Sequence, residues 1–175
     1  MAGFGRFNLV EGAVLETEGG PGLLWYTQEE FADFVLTVDW RVSGIEDNSG
    51  VFLRFLALGS SNPTTDWQLA VEQGYEVQID ERGLDPETNT LGSPYHQTGA
   101  IYKLAPALKQ ASLPIGQWNA FEIVAEGSTI TVKLNKELVS NLTESRGRPA
   151  KGHLGLQTHH AGARVQFRNL QIKRL

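Results

Sequence analysis

The sequence predicts an all-β protein, a two-sheet antiparallel β-sandwich of jelly-roll type. Three observations predict it. Apolar residues recur at every second position in segment after segment, the period of a strand with one buried face. Turn residues separate these short segments. No 3.6-residue period is sustained over three helical turns. Alternation this clean puts one face of each sheet on the core and leaves the other for solvent or ligand.

The elements follow in order. Gln28 to Phe31 fits a single helical turn. From Phe34 to Val42 every even position is apolar, while Thr37, Asp39 and Arg41 occupy odd positions. Val51, Leu53 and Phe55 share one face of the next strand and Arg54 takes the other. Gly59 to Asp66 reads as a loop, and Tyr75 to Asp80 alternates again. Asp80 to Gln97, with Gly83, Asp85-Pro86, Gly92 and Ser93-Pro94, is a long loop of the functional or mobile kind. Gly99 to Tyr102 fits a short strand and Ala105 to Ala111 a helical turn. Phe121–Ala125 and Thr129–Leu134 form a hairpin across Gly127-Ser128, and a tighter turn at Asn135-Lys136 leads into Glu137–Val139. His153–Thr158 and Arg164–Lys173 complete the set. In the last strand the apolar phase shifts from Val165 and Phe167 to Leu170 and Ile172, which calls for a bulge near Asn169.

Composition narrows the function. The 175 residues suit one sandwich domain over 1–175, with enough chain to bury a core. No apolar run approaches the ~20 residues of a membrane-spanning helix. A net charge of -5 leaves no nucleic-acid footprint, and Arg146, Arg148 and Lys151 read as a solvated loop. There is no cysteine, hence no disulfide, thiolate nucleophile or Cys-based zinc site. The start, Met1 to Arg6, lacks the apolar stretch of a signal peptide. A native Met1 implies an intracellular protein, and a trimmed leader a periplasmic or secreted one. Phosphate-loop, dinucleotide, HExxH and GxSxG motifs do not occur.

The outward positions carry the chemistry. Tyr75, Val77 and Ile79 facing inward leave Glu76, Gln78 and Asp80 in an outward row. Leu154 and Leu156 facing inward leave His153, Gln157 and His159, and the last strand leaves Arg164, Gln166 and Arg168. Amides, carboxylates and guanidinium groups suit sugar hydroxyls, and Trp67, Tyr95 and Tyr102 are aromatics able to stack on a pyranose. Polar outward faces are also what solvent alone demands. Glu76 and Asp80 lie ~13 Å apart along a straight strand, at ~6.6–6.8 Å per two residues. Glycosidase pairs stand ~5–5.5 or ~6.5–9.5 Å apart, so a hydrolytic partner has to come from elsewhere, with Asp47, Asp66, Glu72 and Asp85 as candidates. His159 and His160, adjacent on a strand, point to opposite faces and cannot share a metal without a kink.

Together these blocks resemble the 3-keto-disaccharide hydrolase domain family. The resemblance is carried by Asp33-Phe34 through Trp40-Arg41, Asn48-Ser49-Gly50-Val51-Phe52-Leu53-Arg54, Tyr75–Asp80 and Thr98–Tyr102. Trp118-Asn119, Gly155–His159 and Phe167-Arg168-Asn169 follow, and the whole covers about Phe7 to Leu175. It implies a concanavalin-A-like jelly roll and a carbohydrate substrate already oxidised to a ketone at sugar carbon 3. Such a ketone acidifies the C2 proton, so a base removes it, the glycosidic oxygen leaves from C1, and water adds back. The resemblance maps the family's shared polar residues onto Arg54, Glu76, Gln78, Asp80, Tyr102, Gln157, His159 and Arg168. The expected base is His159, Glu76 or Asp80, or one of these holding a divalent metal ion that polarises the ketone. Arg54, Gln78, Gln157 and Trp67 are expected to bind substrate, and Tyr102 to stack or donate a proton. Arg168 either contacts substrate or locks the last strand by pairing with an outward carboxylate. The alternative to an enzyme is a non-catalytic carbohydrate-binding module on the same fold.

Overall fold

The computed structural model describes residues 1–59 and 65–175. Most of the loop expected over 59–66 lies outside the described residues. Among the described residues twelve strands run in order as β1 (Ala2–Gly3), β2 (Arg6–Val10), β3 (Val14–Glu18), β4 (Gly22–Trp25), β5 (Phe34–Val42), β6 (Asn48–Phe55), β7 (Tyr75–Asp80), β8 (Asn119–Glu126), β9 (Thr129–Leu134), β10 (Glu137–Leu142), β11 (His153–Thr158) and β12 (Val165–Arg174). A short helix, α1 (Trp67–Gln73), precedes β7. The strands form two antiparallel sheets. One has five strands in the order β1-β4-β11-β6-β7, the other seven in the order β10-β9-β8-β5-β12-β3-β2.

The core lies between them and follows from the period of two. The even positions of β5 are buried and the odd ones half-exposed. Trp40 packs on Phe121 with ring centroids 5.4 Å apart. From the five-stranded sheet, Val51, Leu53, Tyr75, Val77 and Ile79 point into this core. The two central hairpin turns are tight. Gly127 takes φ +54°, and Asn135 and Lys136 both adopt positive φ (52° and 73°), as a two-residue hairpin of twist-compatible type requires. The bulge near Asn169 is present: Asn169 has φ +52° and the β12–β5 register shifts between Arg168 and Gln171.

The five-stranded sheet is covered on both faces. Every residue of β6, β7 and β11 is buried. On the outer face, Leu23, Phe52 and Phe55 pack under α1 around Ala70, joined by Trp25, Trp67 and Val71. This helix spans seven residues, too few for a pattern over three turns to register it. The expected helical turns at 28–31 and 105–111 are irregular chain instead. The expected strand at 99–102 is a turn that docks on the edge of β7, where Gln78 N donates to Ala100 O and Tyr102 N to Glu76 O. Positive φ at Gly99 (87°) and Lys103 (59°) interrupts it as a strand.

A second bulge corrects the reading of β6. Arg54 has φ +53°, and the four residues of β6 from Phe52 to Phe55 lie against three of β11, Gly155 to His153. The extra residue turns Arg54 inward beside Leu53 and swings Phe55 outward under α1. The Arg54 guanidinium is fully buried, 6.0 Å over the Phe34 ring. It donates to Ala32 O (2.8 and 2.5 Å), Gly127 O (2.7 Å) and Asp33 Oδ1 (3.1 Å). Arg54 therefore ties the β4–β5 and β8–β9 connections to the core and is removed from the candidate site.

Candidate active site

The outer face of the five-stranded sheet holds a pocket of about 360 Å³. Its floor follows from register. Gly50 pairs with Gln78 on one side, and the Leu156–Val51 pairing puts Gln157 beside it on the other. With strands ~4.8 Å apart, the two glutamines flank Gly50 at roughly 10 Å. Glu76, opposite Phe52, leans back over Gly50. A Cβ on Gly50 would stand 2.3 Å from Glu76 Oε1, so glycine is what makes room for this carboxyl. Asn48 continues the floor toward the start of β6. Trp67 and Val71 of α1 make one wall, and Leu84, Pro86 and Tyr102 another. Thr158 and His159 close the end of β11.

Glu76 is the one carboxylate among the described residues that line the pocket, and it is 5% exposed. None of the described residues donates a hydrogen bond to it. Loss of water alone pushes its pKa up to about 8. Burial also raises the Tyr102 phenol, with Lys103 opposing. The Tyr102 ring meets the edge of His96 at 5.0 Å, and His96 is itself held by Ser93 Oγ at 2.8 Å. His159 sits at the mouth. Its side chain is exposed at the rim, and partial loss of water, then His160 and Arg82, lowers its pKa to about 4. Because β11 ends at Thr158, the strand rule for adjacent side chains lapses at this point. The two histidine rings meet edge to face, their Nδ1 atoms 3.0 Å apart, rather than pointing to opposite faces.

Buried polar atoms without partners mark the floor. Among the described residues these include Asn48 Oδ1, Gln78 Oε1, Gln157 Oε1 and Thr158 Oγ1. Unpartnered buried acceptors cost stability, so a cluster of them in one cavity points to a ligand rich in donors. Hydroxyl groups meet that requirement.

The sequence-predicted residues divide clearly. Glu76, Gln78, Gln157, His159, Trp67 and Tyr102 meet at this pocket. Asp80 does not line it. Its carboxylate is fully buried and accepts from Asn48 Nδ2 (3.1 Å), Arg82 N (2.9 Å) and Leu84 N (3.2 Å). Burial raises its pKa while these amides oppose the rise. A carboxylate so engaged holds structure and does not reach substrate. Arg168 lies on the outer face of the other sheet, stacked 3.9 Å over Trp118 and paired with Asp39 at 3.2 Å. It locks β12 and is corrected out of the site. Tyr95 is exposed elsewhere. Of the candidate second carboxylates, Asp47 caps the turn at Ser43 and Gly44, and Asp85 caps a turn at Glu87. Neither Asp66 nor Glu72 lines the pocket.

Sequence reasoning missed Asn48 and Arg82. Asn48 sits two residues before Gly50 on the same outward row, and β6 begins three residues earlier than the alternation suggests. Arg82 lies past the end of β7, where period carries no information; it pairs with Glu46 at 3.0 Å. Among the described residues no three His, Cys, Asp or Glu side chains converge as a metal-holding group.

Two stacked antiparallel sheets with an acceptor-rich pocket on one outer face define a galectin-like jelly roll. The chain belongs to the family of 3-keto-alpha-glucoside-1,2-lyase-like domains, whose match spans residues 3–173. It is 25% identical to the 3-keto-disaccharide hydrolase of Bacteroides thetaiotaomicron, over 96% of this chain and 67% of that protein. A crystal structure of a candidate glycosyl hydrolase from Parabacteroides distasonis superposes with a TM-score of 0.78 at 26% identity, covering 97% of this chain and 90% of that one. A carbohydrate binding module of Bacillus subtilis shares the fold, with a TM-score of 0.64 at 13% identity over 99% and 94% of the two chains. The family is one of glycoside hydrolase- and lyase-like domains. No helix among the described residues is long and apolar enough to cross a membrane.

Proposed function

We propose that this domain cleaves glycosides bearing a ketone at sugar carbon 3, by proton abstraction at C2 and elimination at C1. The observation that carries the reading is Glu76: one desolvated carboxyl at the pocket, with no second carboxylate among the described residues that line it to make a hydrolytic pair. Ordinary glycoside hydrolysis needs two such groups within ~10 Å of each other and both free to act. Elimination next to a ketone needs one base and one group that stabilises the developing enolate.

Glu76 is the base. A pKa of about 8 lies close to neutrality, where a proton-transfer group works best, and the dry site leaves its ionised form poorly solvated and basic. It takes the C2 proton. The electrons form the C3 enolate, then the C1–C2 double bond as the C1–oxygen bond breaks and the leaving oxygen takes up a proton. His159, neutral and tied through Nδ1 to His160, has Nε2 left to donate to the keto oxygen. Gln78, Gln157 and Asn48 engage sugar hydroxyls, and Trp67 and Tyr102 cover the ring. Stopping at the unsaturated ketone makes the reaction a lyase; addition of water at C1 makes it a hydrolase.

The test is release of free leaving group from a 3-keto-disaccharide, with C2-protonated and C2-deuterated substrate. A primary isotope effect, and a Glu76→Gln variant that binds substrate but releases nothing, are the expected results. Saturable glycan binding with no release by the unaltered protein would replace the enzyme by a carbohydrate-binding module.

A further inference from the structure

We propose that Asn48 is the specificity-determining acceptor for one substrate hydroxyl, and that Asp80 is the positioning residue that fixes its polarity. The inference rests on the reading of the pocket as a glycoside site and says how that site chooses its ligand's orientation.

A carboxamide has two ends of similar shape and opposite hydrogen-bonding character. What a ligand meets depends on which end the protein holds. Asn48 is 7% exposed, and its Nδ2 donates to Asp80 Oδ2 at 3.1 Å. Asp80 cannot adjust to an inverted amide. Arg82 N and Leu84 N donate to its two oxygens, and its own backbone N donates to Thr98 Oγ1 at 2.9 Å. Turning Asn48 over would set a carbonyl against a carboxylate oxygen with no proton between them. Asn48 Oδ1 is therefore the end left over, buried and without a partner. Gln78 and Gln157 have no such lock: no described residue receives their Nε2 groups, so either end can turn to the ligand. The floor thus combines two adaptable amides with one that only accepts.

An acceptor-only position has a chemical consequence. It admits a hydroxyl, which can donate, and rejects a ketone, an ether oxygen or fluorine, which cannot. The oxidised carbon of the sugar cannot face Asn48, so this residue orients the ring with a hydroxyl-bearing carbon over β6 and the ketone elsewhere, toward His159.

Calorimetric binding by the Glu76→Gln protein tests this, because turnover does not interfere. The ligands are a methyl 3-keto-glucoside and its three analogues with fluorine in place of one hydroxyl at C2, C4 or C6. One analogue is expected to bind roughly 5- to 100-fold more weakly than the parent, the range of one unsatisfied buried acceptor. Adding Asn48→Ala should erase that difference, leaving all four ligands within about threefold of one another. Adding Asp80→Asn should shrink the same difference selectively. A merely structural role for Asp80 would weaken all four ligands in proportion. A fluoro penalty that persists in Asn48→Ala, or a uniform loss in Asp80→Asn, overturns the inference while leaving the glycoside site standing. Failure of the parent ligand to bind the protein with Asn48 and Asp80 intact overturns the reading of the pocket itself.

Discussion

Replacing Glu76 with glutamine should stabilise the protein by an amount that grows with pH, while abolishing turnover. The carboxyl lies in the sheet floor with no hydrogen-bond donor among the described residues, and burial moves its pKa from 4.5 to about 8. Between those values the unfolded chain has lost a proton that the folded protein keeps. Stability then falls as pH rises, because the folded state binds more protons. At about 1.4 kcal/mol per pH unit, the penalty is about 1 kcal/mol at pH 5 and about 3 kcal/mol at pH 7. Glutamine fills the same space and does not titrate, so it escapes the penalty. For a chain of this size about 3 kcal/mol corresponds to a rise in Tm of roughly 6–12 °C. Thermal unfolding of both proteins at pH 5, 6, 7 and 8 reads the effect. The diagnostic quantity is the growth of the difference, since any constant gain or loss from the amide itself cancels. A Tm difference that stays flat from pH 5 to pH 8 would refute the reasoning, because Glu76 would then titrate alike in the folded and unfolded states.

Four further predictions test the floor of the pocket, the two excluded arginines and the base. Gly50→Ala sets a methyl 2.3 Å from Glu76 Oε1 and drives the carboxyl aside by about 1 Å; turnover should drop ~100-fold with little change in Tm. Arg54→Met strands the carbonyls of Ala32 and Gly127, so chemical denaturation should show a loss of about 3 kcal/mol, while kcat/KM per folded molecule is unchanged; Arg168→Ala, on the opposite sheet, should cost less than about 1 kcal/mol and leave glycoside binding as it was. The pH profile of kcat/KM should climb through neutrality and level off above about 8 as Glu76 ionises; a profile already flat at pH 6 would assign the base elsewhere.

Most of the architecture was legible because its cause is local. Strands with one face on the main core alternate in polarity, so β5, β7, β9 and β11 announce themselves, and with them the inward and outward rows that place Glu76, Gln78 and Gln157. The bulge at Asn169 was legible for the same reason, since an apolar phase shift has few other causes. Arg54 lies where the period of two breaks. A bulge with positive φ inverted the last two residues of β6, and Arg54 and Phe55 are both compatible with either face of a buried strand end. Asp80 failed differently. Its outward direction was right, but three donors, two of them backbone amides of residues just past β7, consume its carboxylate. Those amides belong to a loop whose path no periodicity describes. Helix α1 and the four short strands before Trp25 offered too few residues for any period to show.

The floor residues stand on β6, β7 and β11, strands buried on both faces, flanked by the main core below and the α1 cluster above. A lone desolvated carboxyl and several unpartnered amide oxygens oppose folding, and the double burial of those strands offsets them. That placement has a chemical logic. On a mobile loop Glu76 would find water or a cation and relax toward an ordinary carboxylate. Beside Gly50, on a strand that cannot shift without disturbing two hydrophobic clusters, it stays poorly solvated until a substrate arrives. The same rigidity explains why Asp80 holds structure rather than acting on substrate. By holding Asn48 and the start of the following loop, it extends the precision of the strand to a residue at its end and to the pocket wall beyond it.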